Sequence, residues 1–156
     1  MSTTSTTQTS AQVQVDVRGP RFVAWVTTTV LVAVLIVAAF SLPAAAVLLG
    51  LQGVVFAISA ALGPQNGPYG RVFRAVVLPR IGPVTEKEPV APLRFAQLVG
   101  FLFALGGTVS FALGAGVVGT VFTGFALFAA FLNAAFGFCL GCQIYPFVAR
   151  LLPKTA

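Results

Sequence analysis

Histidine is absent from the 156-residue chain, and only three side chains are acidic: Asp16, Glu86 and Glu88. Without histidine a zinc site would have to be all-thiolate. Tetrahedral zinc takes four ligands and the chain has two cysteines, so only a dimer could supply the set, and no metal site is assigned. Two cysteines are likewise too few for a disulfide scaffold. Covalent haem attachment wants His directly after the second cysteine of a Cys-x-x-Cys, and Gln143 stands there. No carboxylate or lysine interrupts an apolar run, so an ion-coupled transporter with a protonatable group inside the membrane has no support.

Charge of either sign is scarce. Charged residues make up 8% of the chain and hydrophobic residues 58%. The apolar runs last twenty residues and more, without strand-like alternation. A bilayer core of ~30 Å needs ~20 helical residues, and within lipid only helices and closed barrels satisfy every backbone group. The expected fold is therefore an all-α, integral membrane four-helix bundle made of two helical hairpins. The expected spans are about 22–42, 44–63, 95–118 and 120–138, within a membrane domain of residues 16–152. Residues 1–15 are rich in Ser, Thr and Gln with little to bury, and read as a disordered tail. That tail lacks the basic start and early apolar core of a signal peptide, so the first span should be retained.

The net charge of +6 does not point to nucleic acid, because the basic residues flank the spans. All nine (Arg18, Arg21, Arg71, Arg74, Arg80, Lys87, Arg94, Arg150 and Lys154) fall before the first span, in the loop 64–94, or after the fourth. The two tight turns hold none. With four spans those segments share one side, and the positive-inside rule makes it the cytoplasm. The expected location is the inner (cytoplasmic) membrane, with both termini inside and the lipid bilayer as the first partner. In the central loop GRVFRAVVLPR alternates apolar and basic residues. It fits a segment in the headgroup plane as well as a proline-stiffened linker.

The halves echo each other. Arg21-Phe22 opens the first hairpin and Arg94-Phe95 the second; Ser59–Gly63 ends the second span and Asn133–Gly137 lies near the end of the fourth, at offsets of 73 and 74 residues. Such a relation would be a parallel internal repeat. Since Gly63-Pro64 stops the second helix, the fourth is expected to break near Gly137. Small residues also form seams that let helices approach in lipid. They are Ala46, Gly50, Gly53 and Ala57 in the second span, Ala96, Gly100, Ala104 and Gly107 in the third, and Ala126, Ala130, Asn133, Ala134, Gly137 and Gly141 in the fourth. Asn133, Gln52 and Gln97 are read as polar glue between helices.

The chemistry-bearing stretch is NAAFGFCLGCQIY, residues 133–145, with Cys139 and Cys142 spaced as Cys-x-x-Cys. Two thiols at this spacing can close a ring and exchange with another thiol, the thiolate being the attacking species. A helix starting at Cys139 would favour that thiolate. Pro146 cannot donate to the carbonyl of Cys142 and adds to the local irregularity. Three readings stay open. In the first, Cys139 and Cys142 are the catalytic pair of a thiol–disulfide or sulfur-transfer component, with Asn133, Gly137, Gly141 and Pro146 in support. In the second, the chain is a non-catalytic accessory or scaffold subunit whose seams bind another membrane protein. In the third, it is a permeation path for small sulfur species. No cofactor is evident; a quinone enters by analogy with other four-helix membrane thiol proteins. A homo-oligomer is compatible with all three.

VRGPRF at 17–22, GPYGRVFR at 67–74, LRFAQLVG at 93–100 and above all the Asn–Cys-x-x-Cys block resemble the bacterial membrane family labelled domain of unknown function 4395. The resemblance spans about residues 16–152. It implies thiol or sulfur handling with a thioredoxin-like or sulfurtransferase partner. Gln143 departs from the acidic residue expected there.

Overall fold

A computed structural model describes residues 14–82 and 87–151 of the chain. Most of the expected disordered tail, together with Glu86 and Lys154, lies outside the described residues. The elements run β1 (Gln14–Asp16), α1 (Arg18–Ala38), α2 (Leu42–Leu62), α3 (Pro68–Val72), α4 (Leu78–Ile81), β2 (Lys87–Pro89), α5 (Val90–Ala112), α6 (Gly116–Phe136) and α7 (Leu140–Leu151). A 3₁₀ turn at Pro64–Asn66 precedes α3, and a π-helical turn at Phe73–Val77 joins α3 to α4. The four helices α1, α2, α5 and α6 are long and apolar enough to cross a membrane. The protein is an all-α, multi-pass membrane protein.

Local chemistry explains where the helices start and stop. α1 and α5 begin some four or five residues before their apolar runs, because Pro20 and Pro92 fall within the first turn, where a missing N–H costs little. Ser41 caps α2 through its Oγ, which accepts the Ala44 N–H at 3.3 Å, and Pro43 fills the first turn. Between α5 and α6 the chain turns at Gly114, whose φ of +82° suits glycine; the Ala115 N–H reaches back to the Ser110 carbonyl at 2.8 Å.

α2 lies along α5 and α1 along α6, with further contact inside each hairpin. The small-residue seams are consumed by these internal contacts. A Cβ at Gly53 would touch Ala104 Cβ at 3.4 Å, one at Gly100 would press on the Phe56 ring at 3.0 Å, and one at Gly107 would meet Leu49 at 2.6 Å. Leu31, Val34, Leu49 and Phe111 are fully buried between the helices, whereas Ile36, Leu51, Leu102 and Phe125 face outward as lipid-contacting surface.

Contacts between helix ends fix which ends lie together. The Arg94 guanidinium at the start of α5 donates to the carbonyls of Ala60 (2.8 Å) and Ala61 at the end of α2, where the helix dipole favours a cation. Arg21 at the start of α1 lies beside Gly137 at the end of α6. At the far end Leu42 touches Gly116. Every described Lys and Arg belongs to the end that carries β1, β2, α3, α4 and α7.

That end is more structured than a linker. Tyr69 donates from its hydroxyl to Gln52 Oε1 at 2.6 Å, tying α3 to the buried interior of α2. β1 and β2 pair antiparallel, Gln14 opposite Pro89 and Asp16 opposite Lys87, a short addition that the sequence does not announce. Arg18 grips Asp16 (Nη2 to Oδ2, 2.7 Å) and donates to the carbonyl of Ile81 at 3.0 Å, joining the start of α1 to the end of α4. The Arg18 hydrogen bond holds the Asp16 carboxyl below its ordinary value, against a smaller opposing effect of burial.

Candidate functional site

α6 stops at Phe136 because Gly137 adopts φ +67°, a left-handed conformation that glycine takes without strain. The Gly137 and Phe138 N–H groups return to the carbonyls of Asn133 (3.0 Å) and Leu132 (3.2 Å), satisfying two of the carbonyls orphaned at the helix end. The backbone then redirects through three non-helical residues, and α7 begins at Leu140. The sequence-predicted break at Gly137 is thus present, and both cysteines lie beyond it.

Cys139 occupies the N-cap position of α7. Its Sγ accepts the Cys142 N–H at 3.1 Å, and its carbonyl accepts the Gln143 N–H at 3.1 Å. The two cysteines form a disulfide with their Cα atoms 5.1 Å apart, within the range that a disulfide spans without backbone movement. On reduction, the N–H already aimed at Cys139 Sγ and the positive end of α7 would both stabilise a thiolate there. Cys142, inside the first turn, has no such donor directed at it among the described hydrogen bonds. The pair is chemically unequal.

α7 is held against the start of α5. Val90 and Leu93 are buried against the two cysteines, and Phe95 meets the Tyr145 ring with centroids 5.8 Å apart. Gly141 makes the closest approach: a Cβ there would sit 2.7 Å from both Cα and Cβ of Ala96. Ile144, Phe147 and Leu151 of α7 are exposed, and Ile144 also borders the cavity beneath the disulfide. Pro146 lies inside α7, which continues through it, leaving the Cys142 carbonyl without its helical donor.

Beneath the disulfide, between α1, α2, α5, α6 and α7, is a cavity of about 410 Å³. Cys139, Gly141 and Asn133 line it, so three of the sequence-predicted site residues converge on one space. Cys142, Gly137 and Pro146 do not line it. Gln97 also lines it, and its Oε1 is buried with no hydrogen-bond partner. In sequence Gln97 looks equivalent to Gln52, which finds Tyr69. Only the three-dimensional arrangement separates the amide oxygen that has a donor from the one that does not; the Gln52 Nε2 is itself buried without a partner. Val90, Leu93, Ala96 and the cavity's phenylalanines are further site residues that sequence reasoning missed, since apolar residues in an apolar helix carry no distinguishing signal.

A family model described as Domain of unknown function (DUF4395) matches residues 15–150. No curated protein and no solved structure matches the chain.

Proposed function

Since the chain belongs to the family described as Domain of unknown function (DUF4395), whose description names no chemistry, we propose its function from the site itself: a membrane thiol–disulfide exchange component in which Cys139 and Cys142 cycle between dithiol and disulfide. One observation carries this reading. The only two cysteines meet at a helix N-terminus, with the Cys142 N–H directed at Cys139 Sγ.

The inequality of the pair assigns roles. A thiolate that attacks a disulfide expels the better-stabilised sulfur. A partner thiolate therefore attacks Cys142 Sγ and forms a mixed disulfide there, and Cys139 departs as the thiolate capped by α7. The partner's second thiolate then attacks its own sulfur in the mixed disulfide, leaving as a disulfide and releasing Cys142 reduced. The distribution of basic residues supports a cytoplasmic, inner-membrane placement of this end, where the partner is a soluble thioredoxin-like or sulfurtransferase protein. In that reducing compartment the disulfide is a catalytic intermediate.

The accessory-subunit reading loses its main support, because the small-residue seams are occupied by the protein's own helices. The cavity's predominantly apolar lining likewise favours lipid-soluble contents over permeation of charged sulfur species.

The test mixes the oxidised intact protein with a thioredoxin-like protein whose resolving cysteine is replaced by serine. Its remaining thiolate should open the Cys139–Cys142 bond and stay joined to Cys142, leaving Cys139 free to be alkylated, as read by peptide mass spectrometry. Attachment shared equally between the two cysteines, or a disulfide inert to the partner, would refute the proposal.

A further inference from the structure

From the cavity beneath the disulfide, we propose that the protein binds a lipid-soluble quinone, which accepts electrons from the reduced Cys139–Cys142 pair; the inference rests on the thiol-exchange reading above. Four phenylalanines, Phe56, Phe103, Phe125 and Phe128, contribute to the walls, offering ring faces and edges to a planar aromatic ring. The volume of about 410 Å³ falls in the range of small-ligand sites, roughly 300–1,000 Å³. Phe125 and Phe128 are also 60% and 56% exposed on the outer surface of α6. The same side chains bound the cavity and meet lipid, which gives a ligand dissolved in the bilayer a lateral way in.

The polar groups select among lipid-soluble ligands. A buried acceptor without a donor is costly in an apolar surrounding, and Gln97 Oε1 is in that state. An acyl chain would leave it so. A hydroquinone hydroxyl would donate to it, and Gln97 Nε2 or Asn133 Nδ2 could donate to a quinone carbonyl. Cys139 lines the same space, so the sulfur best able to carry negative charge is the one adjoining the ligand.

The exchange balances. The two thiols lose two protons and two electrons as the Sγ–Sγ bond forms, and the quinone gains both pairs to become a hydroquinone. The regenerated disulfide is then ready for the next partner dithiol.

The experiment uses full-length protein in lipid nanodiscs and a short-chain benzoquinone. Trp25, the chain's only tryptophan, packs against Phe131 with ring centroids 6.4 Å apart, next to cavity-lining residues of α1 and α6. Its quenching reports binding whatever the state of the thiols. Saturable quenching is expected, together with one quinone reduced per disulfide formed when the pre-reduced protein is mixed with quinone. Gln97→Leu should weaken binding at least tenfold. Ala129→Phe, which fills the cavity from α6, should do the same, guarding against a folding defect peculiar to one variant. Non-saturable quenching, full competition by a fatty alcohol of matching length, or binding unaffected by both variants would overturn the inference. Saturable binding with the thiols left reduced would overturn the electron-transfer step. Partner trapping, run without quinone, reports the thiol-exchange reading separately, so either can fail while the other stands.

Discussion

Replacing Gly141 by alanine tests whether α7 is held where it must be for the cysteines to adjoin the cavity. The new Cβ would lie 2.7 Å from Cα and Cβ of Ala96. Ordinary carbon contacts are about 3.5–4.0 Å, so the helices must separate by about 1 Å. One of the clashing atoms is backbone, which leaves no side-chain rotation to relieve it. Overpacking of this kind costs ~1–3 kcal/mol, against a helix-propensity gain of about 1 kcal/mol for Gly→Ala. Gly124, in the middle of α6 with nothing within 4 Å of an added Cβ, is the control: Gly124→Ala should show the gain alone. The two variants should therefore differ by about 2 kcal/mol, or roughly 4–8 °C in Tm for a chain of this size. Thermal unfolding in one detergent measures the difference, and the rate of disulfide reduction by a small thiol should rise only in Gly141→Ala. Equal Tm values and equal reduction rates would refute the claim that Gly141 fixes α7 against α5.

Three further outcomes are expected. Gly137→Ala forces a left-handed φ on an L residue and should cost ~1–2 kcal/mol, read as a lower Tm with faster reduction of the disulfide. Tyr69→Phe strips Gln52 Oε1 of its donor in a site only 2% exposed, costing ~1–3 kcal/mol. Gln52→Leu in the same chain should restore most of that loss, and additive effects in the double variant would refute the coupling. The Asp16 carboxyl titrates lower in the folded protein than the ordinary 3.8. Its contribution is thus complete above that value and is lost as pH falls through the depressed folded value. The protection of the Arg18 amide against hydrogen exchange, relative to its intrinsic rate at each pH, should fall over that acidic window, because this amide donates to Asp16 Oδ1 at 3.0 Å; Asp16→Asn should abolish that fall.

Signals written along one dimension were legible before the coordinates. Twenty-residue apolar runs gave the class, and Gly137, by its correspondence with Gly63, gave the break that frees the cysteines from α6. The seams were readable because i, i+3 and i+4 spacing of small residues has one geometric meaning on a helix. The folded central segment was not legible, since prolines that punctuate a linker equally suit the first turns of short helices, as Pro68 and Pro79 do. The β1–β2 pair was hidden because two three-residue strands this far apart in sequence leave no pattern. A cavity has no sequence signature at all. It is what remains when side chains from several helices fail to fill a space, and Gln97 acquires its meaning only from that failure.

The two halves are built alike, and only one of them carries thiols. Phe22 of α1 meets Phe73 of the π-helical turn after α3, with centroids 5.6 Å apart, and Phe95 of α5 meets Tyr145 of α7 in the corresponding place. Arg94 caps α2, and Arg21 stands at the end of α6. In both halves a glycine with positive φ ends the inner helix and a short helix follows. The first half uses its connecting segment for packing: Gly67 lies against Ser59, and Tyr69 donates to Gln52 Oε1, although the Gln52 Nε2 stays without a partner. The second half leaves the equivalent interior unfilled and the amide of Gln97 unsatisfied, and puts Cys139 at its rim. A void and an orphaned acceptor both cost stability. The first half carries both costs as well, in a smaller cavity of about 270 Å³ lined by Gln65, whose buried Oε1 has no partner; what sets the second half apart is that its larger space, about 410 Å³, is bordered by a sulfur able to exchange electrons.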